Sequence, residues 1–151
     1  DLQSAIRERF PEIKIMRSIP IPETGRVDGF SVMSLANLFE PISDFFLTDT
    51  LLVDEVRGQD QPVCGFVGIT GKTCDWQKAA HLVNQSRIPV FLAGGLSPDN
   101  VYDGIIRVCP AGVDSCTLTN ARDESGAPIR FKKDMEKVKR FVDETRRAMQ
   151  Y

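Results

Sequence analysis

Residues 88–99 read IPVFLAGGLSPD. The first six, IPVFLA, form an unbroken apolar run of the kind that makes a buried strand of a parallel sheet. Gly94-Gly95 ends the run, and Ser97-Pro98 predicts a helix N-cap with proline at the first helical position. A buried strand, a glycine turn and a helix start in close succession make a βα unit, and such units build parallel sheets through right-handed crossovers.

The same order extends in both directions. Upstream, Leu2, Ala5, Ile6 and Phe10 mark one face of a helix over 1–10, and EIKIMRSIPI (12–21) predicts a first strand that Pro20 and Pro22 bring to an end. A helix over 30–39 leads to DFFLTDTLLV (44–53) as the second strand. The Gly-rich, polar stretch 54–73 is long enough to be a functional loop or lid. Asp75 caps a helix reaching Gln85, and the helix after Ser97 runs to Val108. AGVDSCT (111–117) predicts the fourth strand, Ala121 to Lys133 a charged loop, and Met135, Val138, Phe141, Val142 and Met149 line a closing helix.

The strand centres near Ile15, Leu47, Phe91 and Asp114 lie 32, 44 and 23 residues apart. A barrel of about 250 residues uses roughly 31 per unit. The spacing therefore fits an α/β fold of the (βα)8 TIM-barrel type, with residues 1–151 a single α/β domain supplying the last four βα units, the C-terminal half of a longer barrel. The alternative is an open, doubly wound, flavodoxin-like sheet complete in itself. The chain opens at Asp1 inside a helical pattern, so a longer polypeptide is expected. Four units alone leave apolar edges at EIKIMRSI and AGVDSCT, which invites association, with a homodimer as the candidate assembly.

Composition excludes several functions. Nineteen Lys and Arg against 21 Asp and Glu leave a net charge of −2, too little basic field for nucleic-acid binding. No apolar run approaches the ~20 residues of a membrane span, and DLQSAIRERF lacks the apolar stretch of a signal peptide, so a cytoplasmic protein is expected. Cys64, Cys74, Cys109 and Cys116 form no CxxC pair, and His81 is the one histidine. Free thiols in or near the core are expected, with no metal site.

Three strand ends carry polar or glycine residues on what a parallel sheet makes its ligand-binding edge. At the first, burial can raise the pKa of Asp49, as a general acid near neutral pH requires, or the residue can simply cap a turn. At the second, Gly94-Gly95 lets backbone approach an anion, or merely makes a tight turn. At the third, Asp114, Cys116 and Thr117 offer a sugar-binding carboxylate and two anion-binding side chains, unless strand alternation turns some inward. Thr70, Gly71 and Lys72 belong to a loop that can face the same mouth. GITGKT (68–73) is not a nucleotide-binding P-loop, because Phe66 stands where its first glycine must be.

TGKTCDW, FLAGGLSPDNV and GVD followed by small polar residues together resemble the second half of the phosphoribosylanthranilate isomerase family, over essentially the whole chain. The resemblance implies a (βα)8 barrel carrying out an Amadori rearrangement of an aminoaldose phosphate in tryptophan biosynthesis, with a small phosphorylated substrate and no cofactor. It makes Asp49 the general acid, Gly94, Gly95, Cys116 and Thr117 the phosphate ligands, and Asp114 a ribose contact. It also implies a Cys base and a carboxylate-binding Arg on earlier strands that this sequence does not include. Gly68-Ile69-Thr70-Gly71 stands where the family has Gly-Gly-Thr-Gly, and Cys116-Thr117-Leu118 where it has Ser-Ser-Gly. A non-catalytic or repurposed relative that binds a phosphorylated metabolite is the alternative.

Overall fold

A computed structural model describes residues 2–25, 31–51 and 71–150. Four parallel strands form one sheet in sequential order: β1 (Met16–Pro22), β2 (Phe45–Leu51), β3 (Val90–Leu92) and β4 (Gly112–Val113). Around them stand α1 (Leu2–Arg9), α2 (Val32–Phe39), α3 (Trp76–Gln85), α4 (Val101–Val108) and α5 (Met135–Ala148). Among the described strands the order never reverses, as an open doubly wound sheet requires at its ligand crevice.

Alternation along β2 divides the sheet into two faces. Phe46, Thr48 and Thr50 are buried, and Phe46 joins Ile19, Ile21, Leu92, Ala79, Leu82 and Val101 in the core beneath the helices. On the other face Phe45, Leu47 and Phe91 are half-buried, and the Phe45 and Phe91 rings meet edge-to-face with centroids 5.9 Å apart. Within IPVFLA the strand itself is Val90–Leu92, with Val90 and Leu92 buried on one face, Phe91 half-buried on the other, and Pro89 exposed before it.

β1 continues through both prolines. Ile15 O accepts from Phe45 N, so odd-numbered residues of β1 bond toward β2, and Pro20 and Pro22 turn their missing donors away from β2, on the side where the Pro22 carbonyl accepts from Asp75 N. Two carboxylates lock the N-terminal end of the sheet. Asp44 accepts from Ile15 N (2.8 Å), Arg7 (2.5 Å) and Lys14 (3.1 Å), holding α1 against the start of β2. Glu40, after α2, accepts from Arg87 N (2.9 Å), Arg87 Nε (2.6 Å) and Ser86 Oγ (3.3 Å) beyond the end of α3.

Three local expectations are corrected. The stretch 121–133 is not a plain loop: β5 (Asn120–Arg122) and β6 (Pro128–Lys133) pair as an antiparallel hairpin, closed by Asp123 accepting from Ser125 N and Ala127 N. β6 is exposed except at the half-buried Ile129, and the residue that β5 buries is the polar Asn120, so the pair carries no apolar alternation from which to read it. The fourth strand shrinks from 111–117 to Gly112–Val113, followed by a 3-10 turn over Thr117–Thr119. The helix expected at Pro98 begins at Val101, because Asn100 leaves helical geometry at φ −129° while its side-chain oxygen accepts from Ser97 N. One thiol also departs from expectation: Cys74 is buried, but Cys109 is exposed at the left-handed end of α4 (φ 52°).

Candidate functional site

Strand alternation puts Asp49 on the open face of the sheet, one residue before the buried Thr50. Its carboxylate accepts from Thr50 N at 2.9 Å. Burial pushes its pKa above the ordinary carboxylate value, outweighing that hydrogen bond, and the nearby charge of Asp114 pushes the same way. A half-buried carboxyl of this kind keeps its proton to higher pH than a solvated one.

The neighbouring hydroxyls build the frame. Thr48 Oγ1 accepts from Ala93 N (2.9 Å) and donates to Ala93 O (3.0 Å), pinning the ends of β2 and β3 together. The Cys74 thiol also donates to Ala93 O at 3.4 Å, and burial pushes its pKa up to about 12. Thr50 Oγ1 donates to Lys72 O at 2.6 Å, drawing residues 71–73 across the strand ends. The glycine pair makes room for that segment. A Cβ on Gly94 (φ +93°) would stand 2.4 Å from Thr50 Oγ1, and one on Gly95 (φ +63°) would stand 2.3 Å from the Lys72 carbonyl carbon.

Beyond β4, Asp114 N donates to Leu92 O and continues the ladder by one residue while the Asp114 side of the strand end is exposed. Ser115 Oγ donates to Leu96 O at 2.7 Å, tying this turn to the one after Gly95. The Thr117 hydroxyl oxygen is buried and has no hydrogen-bond partner among the described residues. An orphaned buried hydroxyl is costly, and a ligand oxygen would satisfy it.

These pieces enclose a cavity of about 160 Å³ lined by Asp49, Gly71, Gly94, Gly95, Asp114, Cys116 and Thr117, together with Ala93, Leu96, Ser115 and Leu118. The three strand ends singled out from the sequence therefore meet at one mouth. Lys72 is different: its carbonyl serves Thr50, and its ammonium pairs with Glu23 at 3.2 Å rather than lining the cavity. Thr70 lies outside the described residues. Sequence reasoning missed Thr48 and Ser115. A Thr-Asp-Thr alternation inside a buried strand was the available signal for Thr48, whereas nothing local marks Ser115.

The arrangement can donate a proton from Asp49 and hold a small anion against glycine backbone and the Thr117 hydroxyl. Among the described residues no group of three His, Cys, Asp or Glu side chains is placed to hold a metal ion. No described helix is long and apolar enough to cross a membrane.

Comparison with known proteins gives one consistent result. Residues 21–144 match the sequence profile of the family described as N-(5'-phosphoribosyl)anthranilate (PRA) isomerase. N-(5'-phosphoribosyl)anthranilate isomerase of Methanosarcina acetivorans is 30% identical over 142 residues, which cover 94% of this chain and 54% of the relative. The crystal structure of phosphoribosyl anthranilate isomerase from Thermotoga maritima superposes with a TM-score of 0.63 at 23% identity, covering 95% of this chain and 56% of that one. A structure described as monomers of the dimeric enzyme from the same organism gives the same TM-score at 21% identity, covering 95% and 55%. The chain thus spans about half the length of the curated relatives it matches.

Proposed function

The chain belongs to the N-(5'-phosphoribosyl)anthranilate isomerase family, and from that premise we propose that it forms the last four βα units of a (βα)8 barrel catalysing the Amadori rearrangement of an aminoaldose phosphate to an aminoketose in tryptophan biosynthesis. The observation that carries this reading is the convergence of Asp49, Gly94, Gly95, Asp114, Cys116 and Thr117 on one cavity at the carboxyl ends of parallel strands.

In this reading Asp49 is the general acid. Its raised pKa keeps a proton available to the furanose ring oxygen as the ring opens to the imine. The base that then removes a carbon-bound proton, and the cation that holds the anthranilate carboxylate, come from the half of the barrel beyond this sequence. Gly94, Gly95, Cys116 and Thr117 receive the phosphate, and the unpartnered Thr117 hydroxyl supports their assignment. Asp114, exposed at the mouth, accepts from a ribose hydroxyl. Gly71 closes the cavity against Thr117, whose methyl carbon lies 3.6 Å from where a Gly71 Cβ would be. Anchoring the phosphate fixes the sugar relative to Asp49, so binding energy is converted into orientation. The chemistry calls for no cofactor, and a homodimer is the assembly proposed, supported by the dimeric Thermotoga relative.

The decisive experiment is turnover of phosphoribosylanthranilate by the full-length polypeptide, with Asp49→Asn alongside. Activity that disappears in the variant while inorganic phosphate still inhibits binding of the substrate is the expected result. Near-normal turnover in the variant would remove Asp49 as the acid. Phosphate binding without any turnover in the parent protein would instead favour a repurposed, non-catalytic relative.

A further inference from the structure

We propose that Lys133 is a positioning residue of the phosphate site, acting through the backbone of the turn that carries Cys116 and Thr117; the inference rests on the phosphate reading given above. Lys133 closes β6, far from the cavity in sequence, and its stem is exposed. Its ammonium nonetheless reaches back to one turn, donating to Cys116 O at 2.6 Å, Thr119 Oγ1 at 2.9 Å and Ser115 O at 3.5 Å. The buried Thr119 hydroxyl donates to the same region, with Cys116 O at 3.1 Å and Ser115 O at 3.4 Å. Next to it, Lys137 donates to Asn120 O at 2.8 Å and Asp134 N donates to Thr119 O at 3.0 Å. The junction of β6 and α5 is therefore bonded to the carbonyl side of residues 115–120.

Peptide geometry turns this clamp into a statement about the cavity. In a planar trans peptide the N–H points opposite to the C=O of the same unit. Holding the Ser115 and Cys116 carbonyls toward Lys133 directs the N–H groups of Cys116 and Thr117 the other way, and these two residues line the cavity. Two oriented N–H groups beside the orphaned Thr117 hydroxyl make a concave set of donors suited to phosphate oxygens. The ammonium also places a positive charge behind the turn, which favours a dianion in front of it. The hairpin, which has no apolar pattern of its own, thereby gains a role: it delivers Lys133 to this turn.

The test uses the full-length polypeptide, with phosphoribosylanthranilate as substrate and inorganic phosphate as competing ligand. Lys133→Met should raise both the KM and the phosphate inhibition constant about tenfold, with kcat changed much less, because the amides contact the non-reacting end of the substrate. Lys133→Arg should restore part of the loss. Thr119→Val, which keeps the shape but removes the shared hydroxyl, should shift both constants in the same direction by a smaller factor, and it carries the test if Lys133→Met does not fold. Thermal melting of each variant separates the two roles: a lowered Tm with unchanged KM and phosphate inhibition makes Lys133 a structural residue only and overturns the proposal. A parent protein that phosphate does not inhibit overturns the phosphate reading and this inference together. A parent that phosphate inhibits, with variants inhibited equally, overturns this inference alone.

Discussion

The two ends of the sheet use the same residue types to opposite effect. At the N-terminal end, Asp44 and Glu40 each accept three hydrogen bonds, at least one from a backbone N–H, and these bonds hold both carboxyls below their ordinary pKa values. At the C-terminal end, Asp49 accepts one hydrogen bond among the described residues, from Thr50 N, and burial drives its pKa up. The hydroxyls follow the same division. Ser86 is bonded to Glu40 and Ile88, whereas Thr117 Oγ1 has no partner among the described residues. A satisfied carboxylate stabilises the fold and is chemically idle; an undersatisfied one costs stability and retains chemistry. The difference sets the end proposed to bind the ligand apart from the end that only holds the fold together, without reference to any known relative.

Substitutions that exchange stability for activity at one end only would sharpen the comparison, and symmetrical effects would break it. The largest expected effect is at Asp49. In the full-length polypeptide, Asp49→Asn should lower turnover by roughly 10²–10⁴-fold, the range of a general acid. It should also raise Tm near neutral pH. Because the folded pKa lies above the unfolded one, the native state binds more protons between the two values, and stability falls as pH rises through that window. Asparagine removes this loss, so the Tm advantage of the variant should grow with pH across a melting series. A variant that is less stable at neutral pH would contradict the burial argument.

Next comes the glycine turn. Gly95→Ala forces φ +63° on a residue with a Cβ and drives that Cβ to 2.3 Å from the Lys72 carbonyl carbon, costing ~1–3 kcal/mol or more. Gly126→Ala is the control, since it meets a similar φ of +84° in open space. Melting curves should show the larger loss at Gly95, and phosphate affinity should fall only there. Equal losses would mean that residues 71–73 do not press on the turn as described.

Asp44→Asn should reverse the pattern of Asp49, lowering Tm by a few degrees while leaving turnover near that of the parent. A depressed folded pKa gives stability that is complete above the unfolded value and lost as pH falls toward the folded one, so the difference from the parent should close in acid. Loss of turnover without loss of Tm would show that the two ends are not divided as proposed. The smallest effect concerns the thiols. Iodoacetamide should label the exposed Cys109 in the native protein and spare the buried Cys74, whose pKa is pushed up to about 12, as read by peptide mass spectrometry.

Much of this organisation is legible in the sequence alone. Long apolar runs at DFFLT and PVFLA and the polar residues immediately after them located both the strands and the edge on which Asp49, Gly94, Gly95 and Asp114 meet. Hydrophobic period and turn chemistry act locally, so they survive in the sequence. The hairpin was not legible, because PIRFKK is exposed and its pairing with Asn120–Arg122 leaves no apolar signature. The start of α4 was misplaced because the Asn100 side chain bonds both Ser97 N and the Gly95 carbonyl, so a side-chain contact overrides a good capping signal. Lys72 belongs to a loop that can face the mouth, and only the fold shows its ammonium paired with Glu23, just past the end of β1.

By itself, then, the sequence determined the alternation of strand and helix, the parallel arrangement and the identity of the residues at the strand ends, since each depends on side-chain chemistry within a few positions. Tertiary structure decided what those residues do. It raised the Asp49 pKa by burial, used Gly94 and Gly95 to seat residues 71–73, left the Thr117 hydroxyl unsatisfied and brought Lys133 to carbonyls 17 and 18 residues upstream. Desolvation, close approach and long-range hydrogen bonding depend on which segments meet in space, and no local pattern encodes that meeting.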